Sequence, residues 1–200
     1  MSDRYHHGSL REELIRSAVE LIDETGTAAV SLRAVATLAG VSHAAPAHHF
    51  HNKAGLLTAV ATQGYSAFAD RLAQAWERTG SLATLGATYL RFGLAHRAYM
   101  ETMFRPELLN NDDMELIAAR NRARALLDRG AADGEHAARS RFEPGDDFSQ
   151  VRSIAAWSLV HGLTDLIRTG NLPASYADAP EETIRRLTES LAELGHVPTD

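Results

Sequence analysis

The chain has 200 residues, no cysteine and a formal net charge of −6 at pH 7. The lack of cysteine excludes disulfides, thiolate metal sites and cysteine nucleophiles, and the negative charge excludes a generally basic nucleic-acid coat protein. The apolar fraction of 44% is ample for a folded core. The N-terminal residues are polar, and no stretch is long and apolar enough for a signal peptide or a membrane span, so we expect a cytoplasmic protein.

The first fifty residues have the start and stop signals of short helices. A capping box at Ser9 predicts the start of the first helix, which Gly26 ends. Ser31 is predicted to cap a second, short helix that Gly40 ends, and Ser42 to cap a third helix. Two short helices joined by a tight turn have the proportions of a helix-turn-helix motif.

The rest of the chain is also predicted to be helical, because no long segment alternates apolar and polar residues with a period of two. A long helix is predicted after Asn52, followed by one continuous helix with an apolar and aromatic stripe from Leu82 to Met103. A turn at Pro106, a helix over about Asp112–Arg129 and a loop over 131–147 come next. The last predicted elements are a helix over about Phe148–Thr169 and a final helix with Ile184, Leu187, Leu191 and Leu194 at heptad spacing. The predicted fold class is therefore all-α.

One window of the sequence has an unusual charge distribution. Between Glu24 and Asp70 there is no acidic residue, although the chain as a whole is acidic. The window contains Arg33, the only lysine of the chain (Lys53) and four histidines: His43, His48, His49 and His51. Such a window indicates a surface that approaches something negative, and the alternative is that buried helices simply lack charge.

The segment GVSHAAPAHHFHNK, within this window, can bind DNA in several ways. Arg33, Lys53, the Ser42 hydroxyl and the free N–H groups of a helix start can all bind phosphate. The small side chains of Ala44, Ala45 and Ala47 allow one side of the helix to come close to a DNA groove. Neutral imidazole both donates and accepts hydrogen bonds, so a histidine can read a base edge.

The same histidines leave open a metal site or an acid–base site as an alternative. No two of His43, His48, His49 and His51 are spaced i, i+4, and no carboxylate lies nearby to complete a metal shell or to orient a general base. Both readings are therefore weaker than the reading as an anion-binding surface.

Residues 5–55 resemble the DNA-binding domain of the tetracycline-repressor-like (TetR) family of transcription regulators. The first helix, the text SLRAVATLAGVS and the exit HF-x-NK match the family in order and spacing. The text AAWSLVHGL, with Trp157, His161 and Gly162, is similar to the branch of the family named for Trp-His-Gly, as are YHHGSL near the start and MFRPEL from Met103 to Leu108. The resemblance implies an N-terminal three-helix helix-turn-helix domain at 5–55 and a larger helical effector-binding and dimerisation domain at 56–200.

The resemblance also implies which residues meet DNA. The helix that enters the major groove would be Ser42–His49. The implied base-facing residues are Arg33, His43, Ala44, Ala45, Ala47 and His48. The implied phosphate-binding residues are Ser31, Ser42, His49 and Lys53. The family usually has an aromatic residue in place of Ala47 and often arginine or tryptophan in place of His48, so the operator sequence does not follow from relatives.

In the C-terminal part, the apolar and aromatic stripe from Leu82 to Met103 contains tyrosine hydroxyls and an imidazole on an otherwise apolar side of the helix. Buried tyrosine hydroxyls and imidazoles need hydrogen-bond partners, so the stripe either packs as core or lines a pocket. The family resemblance implies an effector cavity. The residues predicted to line it are Tyr89, Phe92, His96, Tyr99, Met103, Trp157 and His161.

The last two helices are predicted to form the dimer interface, since one is apolar nearly all round and the other has a heptad pattern. The sequence thus predicts a homodimeric regulator, most often a repressor in the family, that binds a double-stranded DNA operator and is released by a small-molecule effector. No catalytic residue, metal or cofactor is predicted. The alternative function is a helical metal-binding protein or enzyme that uses His43, His48, His49 and His51.

Overall fold

The computed structural model describes residues 3–133 and 148–194, and in that part of the chain all regular elements are helices. Short 3₁₀ turns lie at Thr27–Ala29, Pro106–Leu108 and Ala174–Ala177. The α-helices are α1 Asp3–Thr25, α2 Leu32–Leu38, α3 Ala45–Phe50, α4 Lys53–Thr79, α5 Leu82–Ala95, α6 Arg97–Met103, α7 Met114–Asp133, α8 Phe148–Arg168 and α9 Pro180–Leu194. The predicted all-α class is confirmed.

The chain divides into two compact units. The first contains the described residues up to Ala67 together with His96–Arg122, and therefore includes α1 to α3, the first half of α4, and α6. Its core consists of apolar residues that are at most 4% exposed, including Leu14, Ile15, Ala18, Ile22, Val35, Ala36, Phe50, Leu56, Leu57 and Val60. Most of these residues recur at helical spacing, so each helix has one apolar side that packs inward.

The second unit contains Phe68–Ala95 and the described residues from Ala123 onward. Helix α5 packs against both α8 and α9 in this unit. A Cβ atom at Gly86 would lie 3.2 Å from side-chain atoms of both Val160 and Ile184, and one at Gly130 would lie 2.4 Å from Leu85. Glycine at these two positions allows close helix packing, and an added methyl group would require the neighbouring side chains to shift.

The predicted continuous helix from Leu82 to Met103 is wrong. Helix α5 ends at Ala95 and α6 begins at Arg97, because His96 between them has φ −131° and ψ 64°. The carboxylate of Asp23, at the end of α1, accepts a hydrogen bond from the Ala98 N–H at 2.8 Å. An N–H group at the start of α6 is thus satisfied by a side chain from a distant part of the sequence, which local signals do not reveal.

Other predicted boundaries are partly confirmed. Ser31 caps α2 as predicted, but α3 begins at Ala45 rather than directly after Ser42, and α1 begins at Asp3 rather than at Ser9. Helix α8 ends within one residue of its prediction. The predicted loop over 131–147 is helical at its start, where α7 continues to Asp133, and its remainder lies outside the described residues, as do the side chains of Leu191 and Leu194.

No helix in the described ranges is long and apolar enough to cross a membrane.

Candidate DNA-binding surface and effector site

The turn between α2 and α3 is built from local capping interactions. The Ser31 hydroxyl accepts a hydrogen bond from the Ala34 N–H at 3.1 Å at the start of α2. At its end, Gly40 has φ 67°, which favours glycine, and the N–H groups of Gly40 and Val41 donate to the carbonyls of Thr37 and Ala36. This pair of bonds is a Schellman motif, and it directs the chain from α2 into α3.

The turn presents most of the predicted DNA-contacting residues to solvent. Those that are exposed are Ser31, Arg33, Ser42, His43, Ala44, Ala47 and His48. Three others are half-buried, namely Ala45, His49 and Lys53. On the opposite side of α3, Pro46 and Phe50 are buried, and the guanidinium of Arg11 lies 5.6 Å from the centre of the Phe50 ring. The short helix is therefore anchored by one side and open on the other.

Thr37 positions one of the predicted base-facing residues, and sequence reasoning missed it. Its hydroxyl donates to the Arg33 carbonyl at 3.0 Å and lies 3.4 Å from Nε2 of His43. Because the hydroxyl has one proton and donates it to the carbonyl, it accepts from His43, whose Nε2 then carries a proton. The sequence contained one signal for this contact. A threonine four residues after Arg33 in a helix places its hydroxyl beside the Arg33 carbonyl, a common hydrogen bond within helices.

The exit from α3 has a strained backbone. His51 has φ 63° and ψ −51°, and the Asn52 N–H donates to the Phe50 carbonyl at 2.7 Å, which together form a γ-turn of the rare kind. The Asn52 side chain accepts from the Gly55 N–H at 2.9 Å and so caps α4. A Cβ atom at Gly55 would lie 2.1 Å from the Phe50 carbonyl oxygen. His51 was predicted to act only in the metal-binding or enzymatic alternative, and Gly55 was not singled out in the sequence.

Lys53 connects the start of α4 to the turn that follows α1. Its ammonium group donates to the Ala28 carbonyl at 3.0 Å. An ammonium group has three N–H donors, so this bond leaves two for a phosphate. The predicted phosphate-binding residue is thus also held in place by an intramolecular bond.

The histidines of this segment do not form a metal site in the structure. In the described part of the chain, no three side chains of histidine, aspartate or glutamate lie close enough together to hold an ion. Their arrangement therefore does not favour the metal-binding alternative.

In the second unit, three of the predicted effector-binding residues are hydrogen-bonded to one another. The Tyr89 hydroxyl lies 2.7 Å from Nδ1 of His161, and the Trp157 indole N–H donates to the same hydroxyl at 3.2 Å. Tyr89 is 1% exposed and its ring makes an edge contact with Phe68, at 5.1 Å between centroids. The ring of Phe92 also lies against Phe68, at 5.0 Å. This group, Tyr89, Trp157 and His161 within aromatic surroundings, is called the polar triad below.

The protonation of His161 follows from its surroundings. Burial lowers the pKa of His161; nearby Asp165 partly opposes this and Arg168 adds to it. A neutral imidazole whose Nδ1 accepts the Tyr89 proton has its own proton on Nε2. The indole can only donate, so the Tyr89 hydroxyl accepts from Trp157. With His161 in this tautomer, the same hydroxyl donates to Nδ1.

The remaining predicted effector-binding residues belong to the first unit. His96 and Tyr99 have ring centroids 5.7 Å apart, and Met103 is 2% exposed. A Cβ atom at Gly64 of α4 would lie 2.8 Å from the Met103 sulfur and 3.0 Å from Tyr99, so α4 and α6 approach closely there. Burial raises the pKa of Tyr99, and the carboxylate of Asp23 raises it further.

A carboxylate of α6 joins this helix to the 3₁₀ turn that follows α1. Glu101 accepts from both the N–H and the hydroxyl of Thr27, each at 2.9 Å. Burial alone would raise the pKa of Glu101, but these hydrogen bonds and the positive charges of Arg105 and Arg97 lower it overall. Together with the bond from Asp23 to α6, they fix α6 to the helix-turn-helix unit.

A tight turn between two short helices, with an exposed and acid-free recognition side, defines a helix-turn-helix DNA-binding protein. Residues 14–60 match the family model of bacterial regulatory proteins of the tetR family. Residues 82–191 match the model of the tetracyclin repressor-like C-terminal domain, which alone spans more than half of the chain. The protein belongs to the tetR family of transcription regulators. No curated protein shows a significant match to its sequence.

Solved structures with this fold include several bacterial regulators. A protein of unknown function from Rhodococcus sp. RHA1 is 30% identical, with a TM-score of 0.73 over 93% of this chain and 95% of that one. NalD, the secondary repressor of the MexAB-OprM multidrug efflux pump in Pseudomonas aeruginosa, is 25% identical, with a TM-score of 0.55 over 90% and 96%. The TetR-family regulator PfmR from Thermus thermophilus is 22% identical, with a TM-score of 0.62 over 86% and 97%.

Proposed function

We propose that this regulator is a homodimeric repressor that leaves its operator when a small molecule binds among the C-terminal helices. The observation that carries the DNA-binding part is the exposed side of α2 and α3, where Arg33, His43 and His48 project from a window without acidic residues. We assign base contacts to these three with Ala44, Ala45 and Ala47, and phosphate contacts to Ser31, Ser42, His49 and Lys53. A regulator of chromosomal genes would act in the cytoplasm.

A dimer supplies the second recognition helix. Helix-turn-helix dimers bind half-sites one turn of DNA apart, about 34 Å, so a single copy of α3 would read only half of an operator. We assign the dimer interface to α8 and α9, because α8 exposes large apolar side chains (Val151, Ile154 and Leu166) that the described part of the chain does not cover.

The proposed effector is apolar with one or two polar groups. The polar triad lies in aromatic surroundings, and such a combination is typical of small-molecule sites, where a few polar groups orient an otherwise apolar ligand. Phe92 is assigned to the same site, because its ring and that of Tyr89 both lie against Phe68. Effector binding would favour a dimer whose recognition helices no longer match successive grooves.

Genomic footprinting of the purified protein tests the DNA-binding proposal and identifies operators. We expect protected sites with two-fold symmetry, and band shifts on these sites that a chelator leaves unchanged. Protection without symmetric half-sites would contradict a dimeric repressor. Loss of DNA binding in the presence of a chelator would support the metal-binding alternative.

The effector proposal is tested by Tyr89→Phe, which keeps the ring and removes the hydroxyl that joins Trp157 to His161. Once an effector is found by screening compounds for release of operator DNA, we expect this variant to bind DNA normally and to need about tenfold or more effector, the effect of losing about 1.4 kcal/mol of binding. Tyr65→Phe is the matched control, because it also removes a buried hydroxyl, here one that bonds to the Met103 carbonyl at 2.9 Å. An unchanged effector response in Tyr89→Phe would place the effector elsewhere.

A further inference from the structure

Arg11, on α1, is an exposed cation that forms no ion pair with a carboxylate of the described residues. Arg16, further along α1, differs, because its guanidinium forms ion pairs with Glu13 and Glu20. None of the residues three and four positions away from Arg11 on the helix is acidic, namely His7, Gly8, Leu14 and Ile15. Arg11 is therefore available to a negatively charged group from outside the protein.

The guanidinium of Arg11 lies against the recognition helix. Its central carbon is 5.6 Å from the centre of the Phe50 ring, and Phe50, the last residue of α3, is 4% exposed. A guanidinium over an aromatic ring uses its face, whereas its five N–H groups lie in its plane and point outward. The contact with Phe50 therefore positions the charge without using the hydrogen-bond donors.

Phe50 also lies beside a residue that we assign to phosphate binding. The ring centroids of His49 and Phe50 are 6.1 Å apart. Because Phe50 is common to both contacts, the Arg11 guanidinium and the His49 ring are no further apart than about 12 Å, the width of a B-DNA major groove. Helix α1 thus brings a cation to the edge of the surface that α2 and α3 form.

Position along the sequence conceals this residue. Arg11 lies outside the acid-free window and is followed directly by Glu12 and Glu13. Side chains one and two positions apart on a helix do not face each other, and Glu13 forms its ion pair with Arg16. Only the fold, which packs α1 against α3, shows that Arg11 lies beside the recognition helix.

We propose that Arg11 binds a DNA phosphate, so that the DNA-binding surface extends from α2 and α3 onto α1. The proposal rests on the DNA binding of the proposed function and adds one contact to it. Arginine presents parallel N–H donors that match two oxygens of a phosphate, which suits a group held in place by stacking. Phosphate contacts carry no base information, so Arg11 adds affinity and orientation and does not select the operator sequence.

Binding to random-sequence duplex DNA at several salt concentrations tests this contact without knowledge of the operator. The quantity measured is the slope of log affinity against log salt concentration, called the salt slope. Arg11→Gln should lower the salt slope by about one unit per subunit and weaken binding by about tenfold, as for the loss of one charge-assisted contact. Arg11→Lys keeps the charge and should keep most of the salt slope.

Arg78→Gln is the matched control, because Arg78 is also exposed but lies at the end of α4, in the second unit. It removes the same charge from the protein and should leave affinity and salt slope unchanged. Urea unfolding monitored by circular dichroism shows that each variant is folded.

The failure of this contact and the failure of the proposed DNA binding give different results. A salt slope that is unchanged in Arg11→Gln, or that falls equally in Arg11→Gln and Arg11→Lys, would overturn the phosphate contact and leave Arg11 only the task of holding α3. An equal fall in Arg78→Gln would also overturn it, because the effect would then follow from net charge. A wild-type protein that binds no duplex DNA would overturn the proposed function itself.

Discussion

Gly55 and His51 together determine how the chain leaves the recognition helix. His51 has a positive φ, which residues other than glycine rarely adopt. The turn also places the Phe50 carbonyl oxygen against Gly55, where any larger residue would have its Cβ atom. Strained backbone of this kind persists only where the surrounding structure fixes it, here through the caps of α3 and α4. The residues that position α3 are thus not the ones that we propose to contact DNA.

Gly55→Ala should destabilise the protein, although alanine is the better helix former. The added Cβ atom would lie 2.1 Å from the Phe50 carbonyl oxygen, so backbone has to move. We expect a loss of about 1–3 kcal/mol in the free energy of unfolding, as for other overpacked sites, together with weaker operator binding as α3 shifts. Urea unfolding and band shifts measure the two effects. A higher unfolding midpoint would mean that the γ-turn relaxes without loss.

His161 should make stability depend on pH. Burial lowers its pKa in the folded protein, whereas in the unfolded chain a histidine titrates near pH 6.5. Above about pH 6.5 both states are neutral and the folded state has its full stability. As the pH falls below about 6.5, the unfolded chain takes up a proton that the folded protein does not, so stability is lost until the lower folded pKa is reached.

The corresponding test compares wild type with His161→Gln at about pH 7.5 and pH 5.5 by urea unfolding. The variant should be less stable at the higher pH by about 1–3 kcal/mol, because glutamine lacks the imidazole ring that lies against Tyr89 and Trp157 and that holds the acceptor Nδ1 beside the Tyr89 hydroxyl. Between the two pH values it should lose less stability than the wild type. All other titrating groups are common to both proteins, so the difference reports on His161, and equal losses would show that its pKa is the same in both states.

At the scale of the elements, the sequence predicted those helices whose start and end signals are local. Ser31, Gly40 and the glycine at position 26 all mark boundaries that the structure confirms, because their capping bonds join residues close together in sequence. The break at His96 was missed because the group that caps α6 is Asp23, on α1. Side-chain spacing continued through the break, and neither glycine nor proline lies between Leu94 and Arg97, so periodicity alone could not show it.

For the whole molecule, the two candidate sites differ in how well sequence could predict them. The DNA-binding surface is one contiguous segment, so its exposed residues followed from capping, charge and the resemblance of that segment to a family. Five of the seven residues predicted to bind an effector came from one stripe, and the structure divides that stripe between two compact units. Only Tyr89 of the stripe joins Trp157 and His161 in the polar triad, a contact between residues far apart in the sequence that no local pattern encodes.

DNA affinity should rise as the pH falls from about 8 to about 6, with a steeper dependence on salt at the lower pH. Histidine changes charge in this range, and a phosphate beside an imidazole favours its charged form. Each imidazolium that displaces a counterion adds about one unit to the salt slope. His43 and His48 are exposed on the recognition side, whereas the protein as a whole has a net charge of −6 and repels DNA at neutral pH. The pH response is therefore expected to be local to this surface.

Binding to operator and to random DNA, measured at both pH values and several salt concentrations, tests this expectation in wild type, His48→Gln and Lys53→Ala. His48→Gln should lose part of the pH response, since glutamine keeps hydrogen-bonding capacity without titrating. Lys53→Ala should weaken binding similarly at both pH values and for all sequences, lowering the salt slope by about one unit per subunit, because a phosphate contact carries no base information. General protonation of the protein acts on all three alike and cancels in the comparison. If wild-type affinity and salt slope are the same at both pH values, the histidines act as neutral spacers and the positive charge of the surface comes from Arg33 and Lys53 alone.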